Sequence, residues 1–372
     1  MGGVSGSAAT HVNRLAQPPM PISRERILIV RLAALGDVVL TSTIVTRIRA
    51  ERPGAHITWL TSDGARPLVE LFGVDEILTV DERRLLGGST ATRLASLGRL
   101  WARLAGRRFD VALLAHADAR YRLLLRSARI GELHMLRRFA HARMNPIPGR
   151  FFGDEFARLL DGPNPLGPAS RRYDIVDVRP RLGFDNAAND DDPFVVIAPG
   201  GARNVLRDDP LRRWPLERYT ELARRLAPSY RVVVIGDAGD AWVRPAFSGV
   251  PVDDLIGSLE LRETLRLLAR ASLVISHDTG PIHLTRLVRA PLLALFGPTT
   301  PRQVLGDPDG VTVLWGGAGL ACRPCFDGRN YAACSNNLCM QDITVEHVLD
   351  RAFALLGARR QATAPGVSAE LS

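Results

Sequence analysis

The sequence predicts an α/β protein made of two Rossmann-like domains, each with a doubly wound parallel sheet. Short apolar runs alternate with helix-like segments over residues 27–115 and again over residues 194–296. The polar, acidic stretch Asp185–Pro193 separates the two series and is the best linker candidate. Strands and helices that alternate at this spacing are typical of doubly wound sheets. A cleft between two such domains is the expected ligand site.

The first series opens on the continuous apolar run Ile27–Val30, as a buried parallel strand would. A loop at 32–37 follows, and the apolar spacing after it predicts a helix that opens just after Asp37 and ends at Pro53. Further strands are predicted at 56–62, 76–80 and 109–115, and further helices at 66–72 and 90–105.

The second series predicts four strands and three helices. The strands are FVVIAPG (194–200), RVVVIGD (231–237), SLVISHD (272–278) and PLLALFG (291–297), and the helices are 216–226, 261–269 and 280–288. We therefore expect a disordered tail at 1–24, one domain at 25–188, a second at 189–358, and another tail at 359–372.

The composition is that of a soluble globular protein, with 372 residues, 46% hydrophobic and 23% charged. No apolar run approaches the roughly 18 residues that span a bilayer. The first residues lack the apolar core of a secretory signal. These observations predict a cytoplasmic protein.

The net charge is +9, and all 48 basic residues are arginines. Any phosphate contact to a cationic side chain must therefore use a planar, bidentate guanidinium. Eight arginines lie between Ala119 and Arg150 with one acid, Glu132. Such an excess indicates either a solvated surface or an anionic partner, namely nucleic acid, anionic lipid or an acidic sugar. No zinc-finger or RNA-recognition signature favours nucleic acid.

Four turns follow predicted strands at the sheet edge where α/β proteins bind ligands. They are LAALGD (32–37), PGGAR (199–203), IGD (235–237) and HDTG (277–280). Gly200 and Gly201 allow close backbone approach, and their amides could cradle a phosphate. Thr279 and Gly280 open a helix whose N-terminus attracts anions. Taken alone, Asp278 is better explained as a helix N-cap and His283 as a core histidine.

Several common motifs are absent from the sequence. There is no GxGxxG at the first strand–helix turn and no GxxxxGK[ST]. GxSxG and HExxH are absent as well. An ordinary dinucleotide-dependent dehydrogenase and a P-loop NTPase are therefore disfavoured.

Taken in order, the motifs resemble those of the glycosyltransferase family 9 heptosyltransferases, over roughly Arg26 to Leu356. The combination of GDVVLT near the start and DTGPIHL near the end is specific to that family. The matching segments are ILIVRLAALGDVVLTSTIVTRIRAERPGAHITWLT, VVIAPGGAR, RRWPLERYTELARRL, VVVIGD, DLIGSLELRETLRLLARASLVISHDTGPIHL and APLLALFGPTTP.

The resemblance implies a GT-B fold, with the acceptor on the N-terminal domain and a nucleotide sugar on the C-terminal one. It implies a bacterial enzyme of lipopolysaccharide core biosynthesis that uses ADP-heptose and inverts the anomeric carbon without a catalytic metal or other cofactor. The acceptor would be an anionic glycolipid, which gives Arg120 and Arg122 a partner and brings the protein to the inner membrane face.

The resemblance also implies roles for single residues. Asp37, in the GD motif, would be the catalytic base. The family usually has a lysine before Trp-Pro, and here Arg213 or its neighbour Arg212 replaces it. The remaining expected donor contacts are Gly200, Gly201, Gly236, Asp237, Asp278, Thr279, Gly280 and His283.

All four cysteines lie within eighteen residues, at Cys322, Cys325, Cys334 and Cys339. A cytosolic chain disfavours disulfides. A Cys₄ group suits a structural zinc or iron site, and four free thiols are the alternative.

Three alternative functions remain open at this stage. One is a heptosyltransferase with a protein acceptor and a metal-binding cysteine finger. Another is a GT-B-like binding protein without catalysis, although the joint presence of Asp37, Asp278 and His283 argues against it. A basic nucleic-acid binder is the third.

Overall fold

The protein is described here by a computed structural model covering residues 24–32, 34–136, 150–162, 172–184, 193–204, 207–307, 309–326 and 331–363. It has two α/β domains with parallel sheets, as predicted. Most of the predicted N-terminal tail, most of the predicted linker and the last nine residues lie outside the described part of the chain.

The N-terminal sheet has five parallel strands in the order β3-β2-β1-β4-β5. The strands are β1 Arg26–Val30, β2 His56–Ser62, β3 Glu76–Val80, β4 Arg108–Leu114 and β5 Arg129–Met135. The α-helices of this half are α1 Leu35–Glu51, α2 Arg66–Val69, α3 Glu82–Gly87, α4 Thr90–Leu104, α5 Phe152–Ala157 and α6 Arg179–Leu182.

The C-terminal sheet has six parallel strands and begins in chain order with β6 Phe194–Ala198. A short antiparallel hairpin outside this sheet, β7 Arg203–Asn204 with β8 Arg207–Asp208, follows β6. The other strands are β9 Arg231–Val234, β10 Asp253–Asp254, β11 Leu273–His277, β12 Leu292–Phe296 and β13 Val311–Trp315. The order is β10-β9-β6-β11-β12-β13. The α-helices are α7 Leu216–Leu226, α8 Leu261–Arg270, α9 Gly280–Leu287, α10 Pro301–Leu305, α11 Leu338–Gln341 and α12 Val345–Thr363.

Both sheets reverse their strand order next to a predicted turn. In the first sheet the reversal falls between β1 and β4, and in the second between β6 and β11. Crevices at such switch points are where open α/β sheets bind ligands. The loop at 32–37, called the GD loop below, follows β1. The turn at 199–203, called the PGG turn, follows β6, and the HDTG turn at 277–280 follows β11. The topology therefore brings three of the four predicted turns to switch points.

Most predicted elements are present, with differences at their ends. Helix α1 begins at Leu35, so Asp37 lies inside its first turn rather than before it. Strand β5 lies within the arginine-rich stretch and was not predicted. It is an edge strand in which only His134 is fully buried, so its sequence shows little apolar pattern. Helix α12 continues to Thr363, past the predicted domain end, and packs on α7.

The two domains share apolar packing rather than meeting only through a linker. Leu68 and Phe72 from the first domain and Leu265 and Leu268 from the second belong to one continuous buried cluster. Helix α1 also packs against α9, and α2 against α8. A side-chain ion pair, Arg262 to Glu70 at 3.0 Å, closes the α2–α8 contact. The buried surface between the domains therefore holds their facing edges together.

The segment before the predicted linker touches both domains. The amide of Val176 donates to the Ser42 hydroxyl of α1 at 3.1 Å. The amide of Val178 donates to the Leu287 carbonyl at the end of α9, at 3.0 Å. This segment therefore ties α1 and α9 together a few residues before the chain crosses to the second domain.

The shared core predicts cooperative unfolding. Leu265→Ala removes a fully buried side chain from the interdomain cluster and should lower the free energy of unfolding by about 2–5 kcal/mol. Urea titration followed by circular dichroism should show one transition that shifts as a whole. Leu94→Ala, at a side chain that is 60% exposed, is the control and should change stability by about 0.5 kcal/mol or less. Two transitions, of which only one moves, would contradict a shared core.

Candidate active site

Asp37 is held in place by a buried arginine. It lies in the first turn of α1 and forms an ion pair with Arg31, the residue that follows β1. A second guanidinium nitrogen of Arg31 donates to the carbonyl of Ala115, which follows β4. The Arg31 side chain is 10% exposed, whereas that of Asp37 is 42% exposed. Arg31 thus orients the Asp37 carboxylate from within the protein, and the exposed part of the carboxylate is accessible to a substrate.

His116 fixes the loop that carries Asp37. The Leu32 amide donates to Nε2 of His116 at 2.9 Å. The imidazole stacks on Tyr121, with ring centroids 3.8 Å apart and planes 3° from parallel. Burial, together with the nearby Arg31 charge, holds the pKa of His116 well below 6.5. The neutral ring can therefore accept the Leu32 hydrogen bond.

The predicted acceptor arginines flank Tyr121 in the 3₁₀ helix Ala119–Leu125. Arg120 is 90% exposed, and its guanidinium pairs with Asp118 at 2.7 Å. Arg122 is exposed and has no carboxylate partner among the described residues. The stacking of Tyr121 on His116 places both arginines near the GD loop, and Arg122 is the one whose charge is uncompensated.

The two domains touch beside Asp37. A Cβ built on Gly36 would lie 2.6 Å from Cδ2 of His283, closer than real Cβ contacts come. Glycine is therefore required where the first turn of α1 meets the first turn of α9. This contact brings the predicted base of one domain next to the predicted donor residues of the other.

Asp278 and Arg212 form a buried polar pair on the donor side. Asp278 is 3% exposed, and its carboxylate accepts from the Thr299 hydroxyl at 2.7 Å. The Arg212 guanidinium lies 3.6 Å from Asp278 and 3.4 Å from Asp209. Burial alone would lower the pKa of Arg212, but nearby groups, the Asp278 carboxylate foremost, raise it above its usual range. Arg212 is therefore a fixed cation at this site.

Arg213 and Arg212 contact different groups. The sequence predicted Arg213 first for the diphosphate contact. Its Nε and Nη2 donate to the Gly201 carbonyl at 3.0 and 2.9 Å. It also pairs with Asp208, and its guanidinium lies over the Trp242 ring, 5.2 Å from the centroid. Arg213 thus braces the PGG turn, while Arg212 is the arginine that approaches Asp278.

The PGG turn packs inward more tightly than the sequence suggested. Gly201 has φ +78° and donates its amide to Asp240 at 2.8 Å. The next amide, of Ala202, donates to the Thr279 hydroxyl at 2.7 Å. A Cβ on Gly200 would lie 2.5 Å from Cγ of Asp240. The glycines therefore serve close packing, and the Gly201 amide is already used within the protein.

Asp240 links two of the predicted donor turns. Its other carboxylate oxygen accepts from the Asp237 amide at 3.0 Å, which closes the turn at Gly236. Asp237 itself is exposed and pairs with Arg203 at 3.0 Å. A buried aspartate thus holds the turns after β6 and β9 at a fixed separation.

The start of α9 keeps room for an anion. Thr279 precedes the helix, and open space surrounds the position where Gly280 would carry a side chain. The helix begins there with amides that lack partners within the helix. Of the predicted backbone contacts, this helix start is the one with space for a ligand.

Two histidines of the HDTG segment are buried and neutral. His277 shares a hydrogen bond with the Tyr219 hydroxyl at 3.0 Å, and burial together with the charges of Arg212 and Arg213 lowers its pKa to about 3. Burial and the charges of Arg286 and Arg212 lower the pKa of His283 to about 3 as well. Nδ1 of His283 is buried with no hydrogen-bond partner among the described residues.

The cysteines do not form a recognisable metal site. Within the described ranges, no group of three or more His, Cys, Asp or Glu side chains is arranged to hold a metal ion. Cys322 and Cys334 are exposed, Cys325 is half-buried and Cys339 is buried. Cys334 accepts from the Asn337 amide at 3.3 Å, and the Cys339 thiol lies 3.6 Å from Oδ1 of Asn337. This arrangement gives the predicted zinc or iron no support.

Sequence reasoning missed Arg31, His116 and Asp240. Arg31 and His116 each lie just beyond a strand, as a functional residue in this fold class often does. Asp240 lies three residues after Asp237, at the spacing of a capping box.

No described helix is long and apolar enough to cross a membrane.

The buried histidines predict a fall in stability below neutral pH. The unfolded chain binds protons near pH 6.5, whereas folded His277 and His283 bind them near pH 3. Stability should be complete above pH 6.5 and fall as the pH drops toward 3, by at most about 1.4 kcal/mol per pH unit for each histidine. Urea unfolding at several pH values between 7.5 and 5 measures how the free energy of unfolding changes with pH, above the range where most carboxylates titrate. His283→Gln should make this dependence less steep. A free energy of unfolding that does not change with pH in this window would refute the low pKa of the two histidines.

The chain is similar to known heptosyltransferases. The model of glycosyltransferase family 9 (heptosyltransferase) matches residues 171–334. Lipooligosaccharide heptosyltransferase 2 of Haemophilus influenzae is 32% identical over 130 residues, which cover 33% of this chain and 36% of that protein. Lipopolysaccharide heptosyltransferase 2 of Salmonella typhimurium is 24% identical over 310 residues, which cover 74% and 84%.

The solved structures confirm the GT-B architecture. E. coli heptosyltransferase WaaC with ADP-2-deoxy-2-fluoro heptose aligns with a TM-score of 0.65 and 20% identity, covering 88% of this chain and 99% of that one. Together with the family match over residues 171–334, these comparisons show a glycosyltransferase whose C-terminal part matches the family 9 heptosyltransferases and whose relatives are heptosyltransferases.

Proposed function

We propose that this enzyme transfers heptose from ADP-heptose to an anionic glycolipid acceptor of lipopolysaccharide core biosynthesis, with inversion at the anomeric carbon and without a catalytic metal. The observation that carries the proposal is the contact of Gly36 with His283. It sets the carboxylate of Asp37 beside the start of α9 and the buried Asp278–Arg212 pair. A base and an anion site from different domains thus face one cleft.

On the acceptor side, Asp37 takes the proton from the attacking hydroxyl. As that proton leaves, the acceptor oxygen forms its bond to the anomeric carbon of heptose. Arg31 orients the carboxylate through its ion pair, and its bond to the Ala115 carbonyl fixes the guanidinium. The half-exposed face of Asp37 is the one available to the acceptor.

On the donor side, the bond between the anomeric carbon and the β-phosphate oxygen breaks as the new bond forms. Negative charge then grows on the departing ADP. The start of α9 and the Arg212 guanidinium stabilise that charge, because preorganised donors and fixed cations act most strongly where charge develops. Arg212 is suited to this role since the Asp278 carboxylate favours its charged form and holds the guanidinium in place.

Inversion is part of the proposal because Asp37 is assigned the role of a base rather than of a nucleophile. The acceptor oxygen then attacks the anomeric carbon in one step, from the face opposite the departing ADP. Arg122, exposed near the GD loop, is the arginine best placed to meet an acidic group of the acceptor. Because such an acceptor is a lipid, we place the enzyme in the cytoplasm at the inner face of the membrane.

The role of Asp37 is tested by Asp37→Asn. The variant should bind donor as the parent does, yet lose transfer by about 10²-fold or more, the usual contribution of a general base. Transfer of heptose to lipopolysaccharide core lacking that sugar, with release of ADP, is the assay. Asp63→Asn, at an exposed aspartate of the same domain, is the matched control. Normal transfer by Asp37→Asn would remove this residue from the mechanism.

The donor assignment is tested by thermal unfolding with a panel of nucleotide sugars. ADP-heptose should raise Tm in a concentration-dependent way, since a ligand that binds only the folded state stabilises it. Arg212→Ala should weaken donor binding about tenfold or more, the usual effect of losing a hydrogen bond to a charged group, and Arg212→Lys should recover part of it.

Arg213→Ala provides the comparison for this test. It should weaken binding less than Arg212→Ala, because Arg213 braces the PGG turn from behind. No shift with any ADP-sugar would refute the donor assignment. A larger loss in Arg213→Ala than in Arg212→Ala would reverse the roles of the two arginines.

A further inference from the structure

Helix α4 and the end of the 3₁₀ helix Ala119–Leu125 form one exposed surface away from the residues assigned to chemistry. The Trp101 indole donates to the Leu123 carbonyl at 2.8 Å, and the Ser127 hydroxyl donates to the Trp101 carbonyl at 2.8 Å. The two elements are therefore locked side by side. We call this the α4 surface, and its outward side chains are Arg93, Leu94, Arg99, Arg103, Leu123 and Arg126.

The α4 surface is strongly basic. Helix α4 carries three arginines and no acidic residue along its fifteen residues. Arg99 and Arg103 are exposed, and each donates to a backbone carbonyl, of Ala95 at 3.3 Å and Thr79 at 2.9 Å. No carboxylate of the described residues pairs with Arg99, Arg103 or Arg126. Most arginines elsewhere in the described chain do have such partners, as Arg244 has in Asp254.

The same surface exposes two large apolar side chains. Leu94 is 60% exposed and Leu123 is 43% exposed. Leu94 and Trp101 lie two turns apart on the side of α4 that faces Leu123. Helix α4 thus buries one side in the domain core and presents Leu94 and its arginines outward, next to Leu123 of the 3₁₀ helix. The small residues Ala91, Ala95, Gly98 and Ala102 between them leave this face flat.

We propose that the α4 surface binds an anionic lipid bilayer, with the arginines on lipid phosphates and the two leucines in the interfacial layer. A basic helix with apolar side chains among its charges is suited to the plane of a membrane surface. Nucleic acid fits less well, because the exposed apolar groups are leucines rather than stacking aromatics and the Trp101 indole is hydrogen-bonded inward.

The proposal deepens the membrane location given under the proposed function. A lipid acceptor brings the enzyme to a membrane, and the α4 surface, on the same domain as Asp37, defines which face meets it. The test measures lipid binding alone and needs no turnover. Failure of vesicle binding would thus leave the transfer reaction standing, and failure of transfer would leave vesicle binding standing.

The experiment is flotation of the full chain with vesicles of phosphatidylethanolamine and phosphatidylglycerol, compared with vesicles of phosphatidylcholine alone. Binding should require the anionic lipid and weaken as salt rises from about 0.1 M to about 0.5 M. Arg99→Glu/Arg103→Glu should lower the partition coefficient at least tenfold, since each arginine near an anionic surface contributes about fivefold. Leu94→Asn should lower it several-fold without changing charge.

The matched control is Arg266→Glu/Arg270→Glu on α8, which makes the same change in net charge at two exposed arginines of the other domain. It should bind vesicles as the parent does. Thermal unfolding of each variant shows whether it is folded, and Leu94→Asn tests the surface if charge reversal destabilises α4. Equal binding to neutral vesicles, equal loss in the α8 control, unchanged binding in both α4 variants, or binding of RNA in preference to vesicles would overturn the proposal.

Discussion

The structure depends on one close contact, between Gly36 at the start of α1 and His283 at the start of α9. Two helices from different domains meet end to end here, so their first turns face the same cleft. A side chain at position 36 would separate them. The apolar cluster shared by α2 and α8 and the segment at Val176–Val178 hold the same junction from other sides. The proposed base of one domain and the proposed anion site of the other are neighbours because of this contact.

Around that junction, buried charged side chains hold the residues and turns that line the cleft. Arg31 holds Asp37 by an ion pair and is itself held by a backbone carbonyl. Asp240 fixes two turns of the second domain through their amides. Each is buried and hydrogen-bonded on more than one side, as a charged group in an interior must be. Removing one partner would leave an uncompensated charge, so these networks define a single arrangement of the loops around the cleft.

Much of the architecture could be read from the residues alone. Strands such as β2 and β3 and helix α7 were predicted to the residue, because their apolar periodicity and flanking turns agree. Strand β5 was missed because it lies at an edge and is mostly exposed, which leaves no apolar pattern to detect. The motifs that carry the family resemblance also pointed to the correct edges of both sheets. Contacts between residues far apart in sequence were beyond such reasoning, as Arg31 with Ala115 and Asp240 with Gly201 illustrate.

The sequence by itself determined the two α/β domains, the turns at the carboxyl edges of their sheets and the family that the motifs resemble. It did so because periodicity, glycine placement and motif order are local properties of the chain. Tertiary structure alone decided which of two adjacent arginines approaches Asp278, and that the Gly201 amide is used internally. Arg212 and Arg213 have the same chemistry and are neighbours, so only the direction in which the backbone presents each guanidinium separates them. That direction is set by packing between distant segments.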